Sequence, residues 1–188
     1  MFSVVFDQVI GIDFGSFGSA AAACEHTMLG VVPRVDLIQQ TGGCEEMAQY
    51  AKSKNLSALL LDPKTKAVVC WGYKAEKEYF ETKPEERSKF AYYANFKPAV
   101  LTKDAKFRSM KIKDSSGIHE IPVMELFVML LNAIKETALT QVEMTRKDMF
   151  GEAYRPLDPK KVLYVLTVPA LWDDEVNIFY LKKGVESL

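Results

Sequence analysis

The chain has 188 residues, which is enough for one domain with a hydrophobic core. Apolar residues make up 48% of it and charged residues 26%, which are values of a globular protein. The formal net charge of −1 gives no electrostatic basis for binding nucleic acid or an anionic membrane, and no apolar run approaches the roughly 20 residues that a membrane-spanning helix needs.

The N-terminus and the cysteines indicate the cellular setting. The first eight residues carry Asp7 and no basic residue, so we expect no signal peptide and a cytoplasmic protein. Cys24, Cys44 and Cys70 are scattered and form no CxxC pair, and neither of the two histidines has a metal-like spacing around it. We therefore expect reduced thiols.

The first predicted elements are two strands, Val4 to Phe14 and Ser19 to Glu25, joined by a short glycine-rich loop. A tight hairpin turn exposes successive backbone N–H groups, which form a concavity suited to a phosphate. Asp13 lies beside this loop, and a carboxylate next to a phosphate makes sense if Mg²⁺ or its water shell lies between them. The residues therefore favour a loop for a magnesium–nucleotide phosphate, with Asp13 facing the metal.

Two other interpretations of this stretch stay open. A dinucleotide-binding (Rossmann) fingerprint requires G-x-G-x-x-G, but the position two after Gly11 is Asp13; this interpretation would need Ser19 and the four alanines after it to begin a helix. An ordinary glycine-rich hairpin in a core sheet, with Asp13 as a turn-forming residue, needs no ligand.

The middle of the chain is predicted to alternate short strands and short helices. Asp62-Pro63-Lys64-Thr65 favours a type I turn, with proline at its second position, between two strands of a hairpin. Pro84 is predicted to begin a short helix, because proline is tolerated in a first helical turn and two glutamates follow it. The other predicted elements are a strand at Val35 to Gln39, a surface segment at Thr41 to Asn55, strands at Leu56 to Leu61 and Lys66 to Gly72, a helix at Tyr73 to Thr82, and strands around Arg108 to Ile112 and His119 to Ile121.

The longest predicted helix begins at Pro122 and runs to about Met144, because apolar residues recur there with i, i+3, i+4 spacing. A polar loop, Thr145 to Lys161, follows it. Val162 to Val168 is nearly all apolar, which predicts a strand buried on both faces of a parallel or mixed sheet. Helix, loop and strand together favour a right-handed crossover. Pro169 ends the strand, and another helix is predicted after it.

Two separated segments resemble one protein superfamily. Gly11-Ile12-Asp13-Phe14-Gly15-Ser16 resembles the first phosphate loop of the actin-like ATPases, and Val165-Leu166-Thr167-Val168-Pro169-Ala170-Leu171-Trp172-Asp173-Asp174 resembles a strand-turn-helix segment of their heat shock protein 70 branch. The Phe96-Lys97 context and Trp172 resemble the divergent member-12 branch of that family.

The resemblance extends over nearly the whole chain and carries an expectation about fold. It implies an α/β structure that is the first lobe of an actin-like ATPase (ribonuclease H-like), with a mixed sheet, a β-hairpin phosphate loop and a crossover helix. It also implies that residues 1–188 form the N-terminal lobe of a nucleotide-binding domain, incomplete at the C-terminus.

The same resemblance implies roles for individual residues. Asp13 would lie near Mg²⁺ as a metal-side and catalytic residue, and Gly15, Ser16 and Phe17 would offer backbone N–H groups to the β- and γ-phosphates of ATP. The family loop has two threonines where this chain has Ser16 and Phe17, so the Phe17 ring could pack in the core while its amide serves the phosphate. Lys97 matches a family lysine that contacts the γ-phosphate and the attacking water, where a cation stabilises transition-state charge. A solvent-exposed loop lysine is the alternative for Lys97.

Three functions stay open on these grounds. The first is an ATP-binding chaperone-type ATPase of the heat shock protein 70 family, with ATP or ADP and Mg²⁺ as ligands and client or co-chaperone proteins as partners. The second is a catalytically inactive nucleotide-binding or interaction protein of the same superfamily. The third is half of a sugar kinase, although no sugar-binding group of residues is evident. Because the chain supplies one side of a phosphoryl-transfer site, we expect it to bind ATP weakly or not at all when isolated.

Overall fold

The computed structural model describes residues 6–15, 18–25, 35–38, 54–100 and 110–167. In chain order, the strands and α-helices in these ranges are β1 (Gln8–Phe14), β2 (Gly18–Glu25), β3 (Val35–Leu37), β4 (Asn55–Leu56), β5 (Leu59–Leu61), β6 (Val68–Trp71), α1 (Tyr73–Glu81), β7 (Ala91–Tyr93), β8 (Lys111–Lys113), β9 (Glu120–Pro122), α2 (Val123–Phe150) and β10 (Val162–Thr167). Short 3₁₀ helices lie at Pro84–Lys89, Lys97–Val100, Gly151–Ala153 and Pro159–Lys161.

The main sheet is mixed. Its strand order is β10-β1-β2-β3, with β4 paired to β2. β1 and β2 are antiparallel, with Gly11 opposite Ala22, whereas β1 and β10 are parallel, with Gly11 opposite Val165. The predicted hairpin and the predicted parallel pairing across the crossover are therefore confirmed. The Rossmann interpretation is wrong, because the residues after Gly18 continue as a strand rather than a helix.

The core lies between the main sheet and α2. Buried residues alternate along β1, so that Ile10, Ile12 and Phe14 share one face of the sheet. On α2 the buried residues follow the helical repeat and form one stripe. The buried residues of that stripe are Val123, Met124, Leu126, Phe127, Leu130, Leu131, Ile134, Ala138 and Val142. Each large side chain removed from water contributes about 2 kcal/mol, so this interface is a main source of stability for the described part of the chain.

The long helix continues beyond its predicted end. It was expected to stop near Met144 and runs instead to Phe150, where Gly151 with φ of 51° ends it. The residues after Met144 lack an apolar stripe but are compatible with a helix, and Arg146 among them forms an ion pair with Glu25 of β2 at 2.7 Å. A tertiary contact therefore stabilises the segment that was predicted to be a loop.

β10 is buried on one face only, which corrects the prediction of a strand buried on both. Val162, Tyr164 and Leu166 pack against the core, whereas Leu163 and Val165 are 37% and 49% exposed. The cause is that α2 and the core cover the inner face of β10, while the outer face carries the exposed Leu163 and Val165. A continuous apolar run does not reveal which of its faces is covered.

A second, smaller sheet has the order β6-β5-β7 and packs with α1. Its β5–β6 hairpin confirms the predicted turn, in which the Asp62 carboxylate accepts hydrogen bonds from the backbone N–H groups of Lys64 and Thr65. α1 is confirmed within one residue of its predicted end, and Pro84 begins a 3₁₀ rather than an α-helix. Trp71 donates its indole N–H to Thr137 of α2 at 3.2 Å, which joins the smaller sheet to the long helix.

Several predictions fall outside the described residues. These are most of the surface segment at Thr41 to Asn55, the helix after Pro169, and the environment of Cys44. β8 and β9 pair as predicted, although the first residues proposed for β8 also lie outside. Neither Cys24 nor Cys70 forms a disulfide within the described part of the chain. In that part, no helix is long and apolar enough to cross a membrane.

Candidate phosphate-binding hairpin

The loop between β1 and β2 is tight. Phe14 is the last residue of β1 and pairs with Ser19, so only the short segment from Gly15 to Gly18 makes the turn. A Cβ atom on Gly15 would lie 2.2 Å from the carbonyl oxygen of Gly18, a separation that no side chain tolerates. Glycine at position 15 is therefore required for the backbone to close here. Ser16 and Phe17 lie outside the described residues, so their roles stay predictions.

Two buried hydroxyl groups hold the loop from the inside. Ser57 donates a hydrogen bond to the carbonyl oxygen of Gly15 at 2.9 Å. Because that donation uses the only hydrogen of the Ser57 hydroxyl, Ser19 must donate in the second contact, which joins the two Oγ atoms at 2.9 Å. Ser57 lies beside β4, and the pairing of β4 with β2 brings it under the loop. Ser57 was not identified from the sequence. A serine within the apolar run Leu56 to Leu61 could have indicated a buried hydroxyl group that needs hydrogen-bond partners.

Asp13 lies at the end of β1 with its carboxylate partly open to solvent. Thr167, its neighbour across the β1–β10 pair, donates a hydrogen bond to Oδ1 at 2.9 Å. The ammonium group of Lys54 lies 2.6 Å from Oδ2. The hydrogen bond from Lys54 is the main cause that holds the pKa of Asp13 below its usual value, so the carboxylate is charged at neutral pH. Neither Lys54 nor Thr167 was proposed for this site from the sequence.

Lys97 is buried beneath the loop and is only 2% exposed. Its Nζ donates a hydrogen bond to the carbonyl oxygen of Phe14 and lies 3.2 Å from the centroid of the Phe14 ring. Burial lowers the pKa of Lys97 to about 7, although the negative charge of Asp13 opposes that shift. The alternative of a solvent-exposed loop lysine is therefore wrong. A contact with a γ-phosphate stays a prediction.

We call Asp13, Gly15, Lys54, Lys97 and Thr167 the hairpin site. Three of its members, Asp13, Gly15 and Lys97, were proposed from the sequence, and the fold brings them to the same end of β1. The site combines a charged carboxylate with two amino groups and a tight backbone turn that requires glycine at position 15. Cations next to a tight turn suit an anion such as phosphate, and a single exposed carboxylate suits hydrated Mg²⁺, which is usually held by one or two carboxylates together with phosphates. The residues present thus fit a magnesium–nucleotide phosphate.

The site does not resemble an all-protein metal centre. Within the described ranges, no group of three or more histidine, cysteine, aspartate or glutamate side chains is placed to hold a metal ion. Asp13 is the one carboxylate of the hairpin site, and both of its oxygen atoms already accept hydrogen bonds from side chains.

Comparison with known proteins gives a distant relationship. The chain is 25% identical over 181 residues to heat shock 70 kDa protein 12A of Mus musculus and to the same protein of Homo sapiens. Each match covers 93% of this chain and 24% of the relative, so the chain spans about a quarter of the length of these proteins. No family model matches the chain. The similarity supports a distant relationship to the heat shock 70 proteins, and the mixed α/β sheet is consistent with a lobe of an actin-like ATPase.

Proposed function

We propose that residues 1–188 form the N-terminal lobe of a nucleotide-binding domain of the heat shock protein 70 type, in its divergent member-12 branch, and that the hairpin site binds the phosphates of Mg-ATP or Mg-ADP. The observation that carries this proposal is the convergence of Asp13, the Gly15 turn and Lys97 at one end of β1. The similarity to heat shock 70 kDa protein 12A along most of the chain supports it.

Each residue of the site has a stated task in this proposal. The backbone N–H groups of residues 15–17 bind the phosphate oxygens, and glycine at position 15 allows the turn to close tightly enough to present them. Asp13, oriented by the hydrogen bond from Thr167, would hold the water shell of the metal once Lys54 turns away from it. The bound nucleotide would supply the phosphoryl group, and Mg²⁺ would neutralise its charge.

The two lysines provide the positive charge. Lys54 is half-exposed and can turn from Asp13 toward a phosphate, because an exposed ion pair is worth only about 0 to 1 kcal/mol and is readily exchanged. Lys97 is fixed beneath the loop by the Phe14 carbonyl, and a phosphate bound nearby would favour its protonated form, whose charge acts in water-poor surroundings. Turnover by the whole protein, as a chaperone-type ATPase, is part of the proposal.

A second candidate function rests on the same lysines. Lys97 is 2% exposed and bonded to a backbone carbonyl, and Lys54 covers Asp13, so both cations already have partners inside the chain. This arrangement favours a catalytically inactive nucleotide-binding or interaction protein of the same superfamily, in which Lys97 supports the loop.

The proposal is tested by following backbone amide signals of the 188-residue chain by NMR while ATP is added, with Mg²⁺ and with a chelator. We expect weak but saturable shifts at Gly15, Gly18 and Ser19 at millimolar ATP, larger with Mg²⁺. Asp13→Asn keeps the size of the side chain and removes its charge, so it should abolish the dependence on Mg²⁺ while thermal unfolding barely changes.

Asp158→Asn is the matched control. Asp158 caps a 3₁₀ helix before β10 with a 3.0 Å hydrogen bond from the Lys160 N–H, and it lies at the opposite end of the sheet. This variant should keep the dependence on Mg²⁺.

The nucleotide proposal fails if the hairpin amides do not respond to ATP. An equal Mg²⁺ dependence in wild type and Asp13→Asn would leave Asp13 as a turn residue only. Lys97→Gln separates the two candidates when its thermal unfolding is measured beside its response to ATP: a lost response in a variant as stable as wild type favours phosphate binding by Lys97, and an unchanged response favours the inactive protein.

A further inference from the structure

Two consecutive peptide carbonyl groups at the end of β1 both accept hydrogen bonds from buried side chains. The carbonyl oxygen of Phe14 accepts from Lys97 Nζ, and the carbonyl oxygen of Gly15 accepts from Ser57 Oγ at 2.9 Å. Lys97 and Ser57 are 2% and 3% exposed, so both donors lie on the protein side of the loop. Successive carbonyl groups of a regular strand point to opposite sides, and the backbone therefore departs from the strand pattern at this point.

The planarity of the peptide unit links these carbonyl groups to the N–H groups of the loop. In a planar trans peptide the C=O bond and the N–H bond point in opposite directions. The Gly15 N–H group shares its peptide with the Phe14 carbonyl, so it points away from the Lys97 ammonium group. Gly15 itself is partly exposed. A side chain that draws a carbonyl group of this loop inward thus turns the N–H group of the same peptide outward.

The Ser57 hydroxyl group has a fixed direction. Its one hydrogen is donated to the Gly15 carbonyl, and its oxygen lies 2.9 Å from Ser19 Oγ, which donates to it. Ser19 is fully buried, and it lies opposite Phe14 on β2. If the Gly15 carbonyl turned outward, the buried Ser57 hydroxyl would lose its acceptor, and a buried donor without a partner is costly. The contact therefore favours one orientation of the peptide between residues 15 and 16.

The backbone on both sides of Ser57 is held by other elements. Directly before it, β4 pairs with β2 of the main sheet. Directly after it, the carbonyl oxygen of Ala58 accepts a hydrogen bond from the N–H group of Gly72 at 2.9 Å, and β5 of the smaller sheet begins at Leu59. Ser57 therefore acts on the loop from a rigid position between the two sheets.

We propose that Ser57 is a positioning residue of the hairpin site: it draws the Gly15 carbonyl inward and thereby aims the N–H group of the same peptide, which belongs to residue 16, at the phosphate. Lys97 acts in the same way on the preceding peptide and aims the Gly15 N–H group. Two consecutive N–H groups on the open side of a loop form a concavity that binds an anion. This inference rests on the proposed function for the identity of the ligand, and it adds that the concavity is formed before the ligand binds.

The first test of Ser57 needs no ligand. Ser57→Ala removes the donor to the Gly15 carbonyl, so the peptide between residues 15 and 16 becomes free to rotate. In NMR spectra of the 188-residue chain we expect the carbonyl-carbon signal of Gly15 to move. Relaxation dispersion should show microsecond-to-millisecond exchange at the amides of residues 15 and 16 that the wild-type chain lacks. Unchanged signals at these two residues in a folded Ser57→Ala chain would overturn the proposal.

Ser19→Ala is the matched control. It also removes one buried hydroxyl group of the same pair, but it leaves the Ser57 hydroxyl donating to the Gly15 carbonyl. Both variants should therefore lower the midpoint of thermal unfolding by similar amounts, whereas Ser57→Ala should disturb the signals of residues 15 and 16 far more. An equal disturbance in the two variants would assign the effect to the packing of the core and contradict the proposal.

A titration with Mg-ATP, followed at the Gly18 amide, tests the consequence for binding. A loop that is competent for only part of the time binds more weakly in proportion, so Ser57→Ala should weaken binding about five-fold and Ser19→Ala less than about two-fold. The two proposals fail separately. Equal affinity of the wild-type and Ser57→Ala chains refutes the positioning role, whereas no response of the wild-type chain refutes the nucleotide site and leaves the ligand-free signals to decide the orientation of the peptide.

Ser57→Cys keeps the test decisive if Ser57→Ala does not fold. The thiol has a similar shape and is a weaker hydrogen-bond donor than the hydroxyl group, so its effect on the signals of Gly15 should be intermediate. Thermal unfolding of each variant shows whether the fold is intact. Wild-type signals at Gly15 in a folded Ser57→Cys chain would refute the assigned contact.

Discussion

Lys97 combines deep burial with a basic group, so we expect the stability of the chain to depend on pH. The folded pKa is about 7, whereas an exposed lysine has its ordinary value of 10.5. Between these values the unfolded chain binds more protons at this position than the folded chain does. The contribution of Lys97 therefore makes the free energy of unfolding rise as pH increases from about 7 toward 10.5, and below about 7 this gain is lost.

Denaturant unfolding at several pH values between about 6 and 9 measures this effect against Lys97→Met, which has a side chain of similar length without a charge. The wild-type chain should gain stability relative to the variant as pH rises. The range stops at about 9 because burial raises the pKa of Tyr92 and Tyr93, whose titration would act in the opposite direction. Parallel stability curves for the two proteins would mean that Lys97 is not held in the buried position described here.

The residues of the hairpin site differ in how far the sequence could reveal them. Asp13 and Gly15 were predictable, because the turn chemistry that identifies them is local. Lys54 and Ser57 come from a segment about 40 residues away, and only the pairing of β4 with β2 brings them to the loop. Lys97 was proposed from a resemblance, but its burial follows from tertiary packing and has no signal in the sequence.

At the scale of elements, the start of α1 depends on a contact between Gly72 and Asn55. Gly72 has φ of 71°, and a Cβ atom on it would lie 2.2 Å from the side chain of Asn55. Asn55 is buried, and its Oδ1 accepts a hydrogen bond from the first N–H group of α1, that of Tyr73, at 2.7 Å. Gly72→Ala would therefore strain the backbone and displace the residue that caps the helix.

Gly117→Ala is the matched control for this prediction. Gly117 has a similar φ of 75°, and no atom of the described residues lies within 4 Å of the position that a Cβ would take there. Gly117→Ala should lower the free energy of unfolding by about 1 kcal/mol, which is the cost of the backbone conformation alone. Gly72→Ala should cost about 3 kcal/mol or more, since a steric clash and a lost cap add to that strain. Chemical denaturation of both variants gives the comparison, and equal costs would show that Asn55 moves aside freely.

Periodic elements were predicted better than their ends and their surroundings. The stripe of α2 and the alternation of β1 identify the faces that meet, because both patterns are properties of the chain itself. The end of α2 was missed since its last turns are held by Arg146 and Glu25. The exposed face of β10 was missed because a run of apolar residues does not show which of its two faces another element covers.

At the scale of the whole molecule, one core joins almost every element. The buried cluster between the main sheet and α2 also includes Leu59, Leu61 and Tyr93 of the smaller sheet, so the two sheets share a single apolar centre. Cys70, Tyr79 and Tyr92 belong to a second cluster on the other side of the smaller sheet, under α1. The order of the strands depends on these long-range contacts, and the sequence indicated it only through the resemblance and the crossover pattern.

The last prediction concerns nucleotide binding by the whole 188-residue chain. Phosphoryl transfer depends on groups that hold the phosphates and the metal from several sides. In the described residues the hairpin site offers one such side, namely the loop, Asp13 and the two lysines. We therefore expect Mg-ATP to bind no more tightly than millimolar, with no ATP hydrolysis above the rate without protein. Calorimetry and a phosphate-release assay measure these quantities, with Asp13→Asn as the control for adventitious heat. Saturable micromolar binding, abolished in Asp13→Asn, would show that this chain forms a complete nucleotide site by itself.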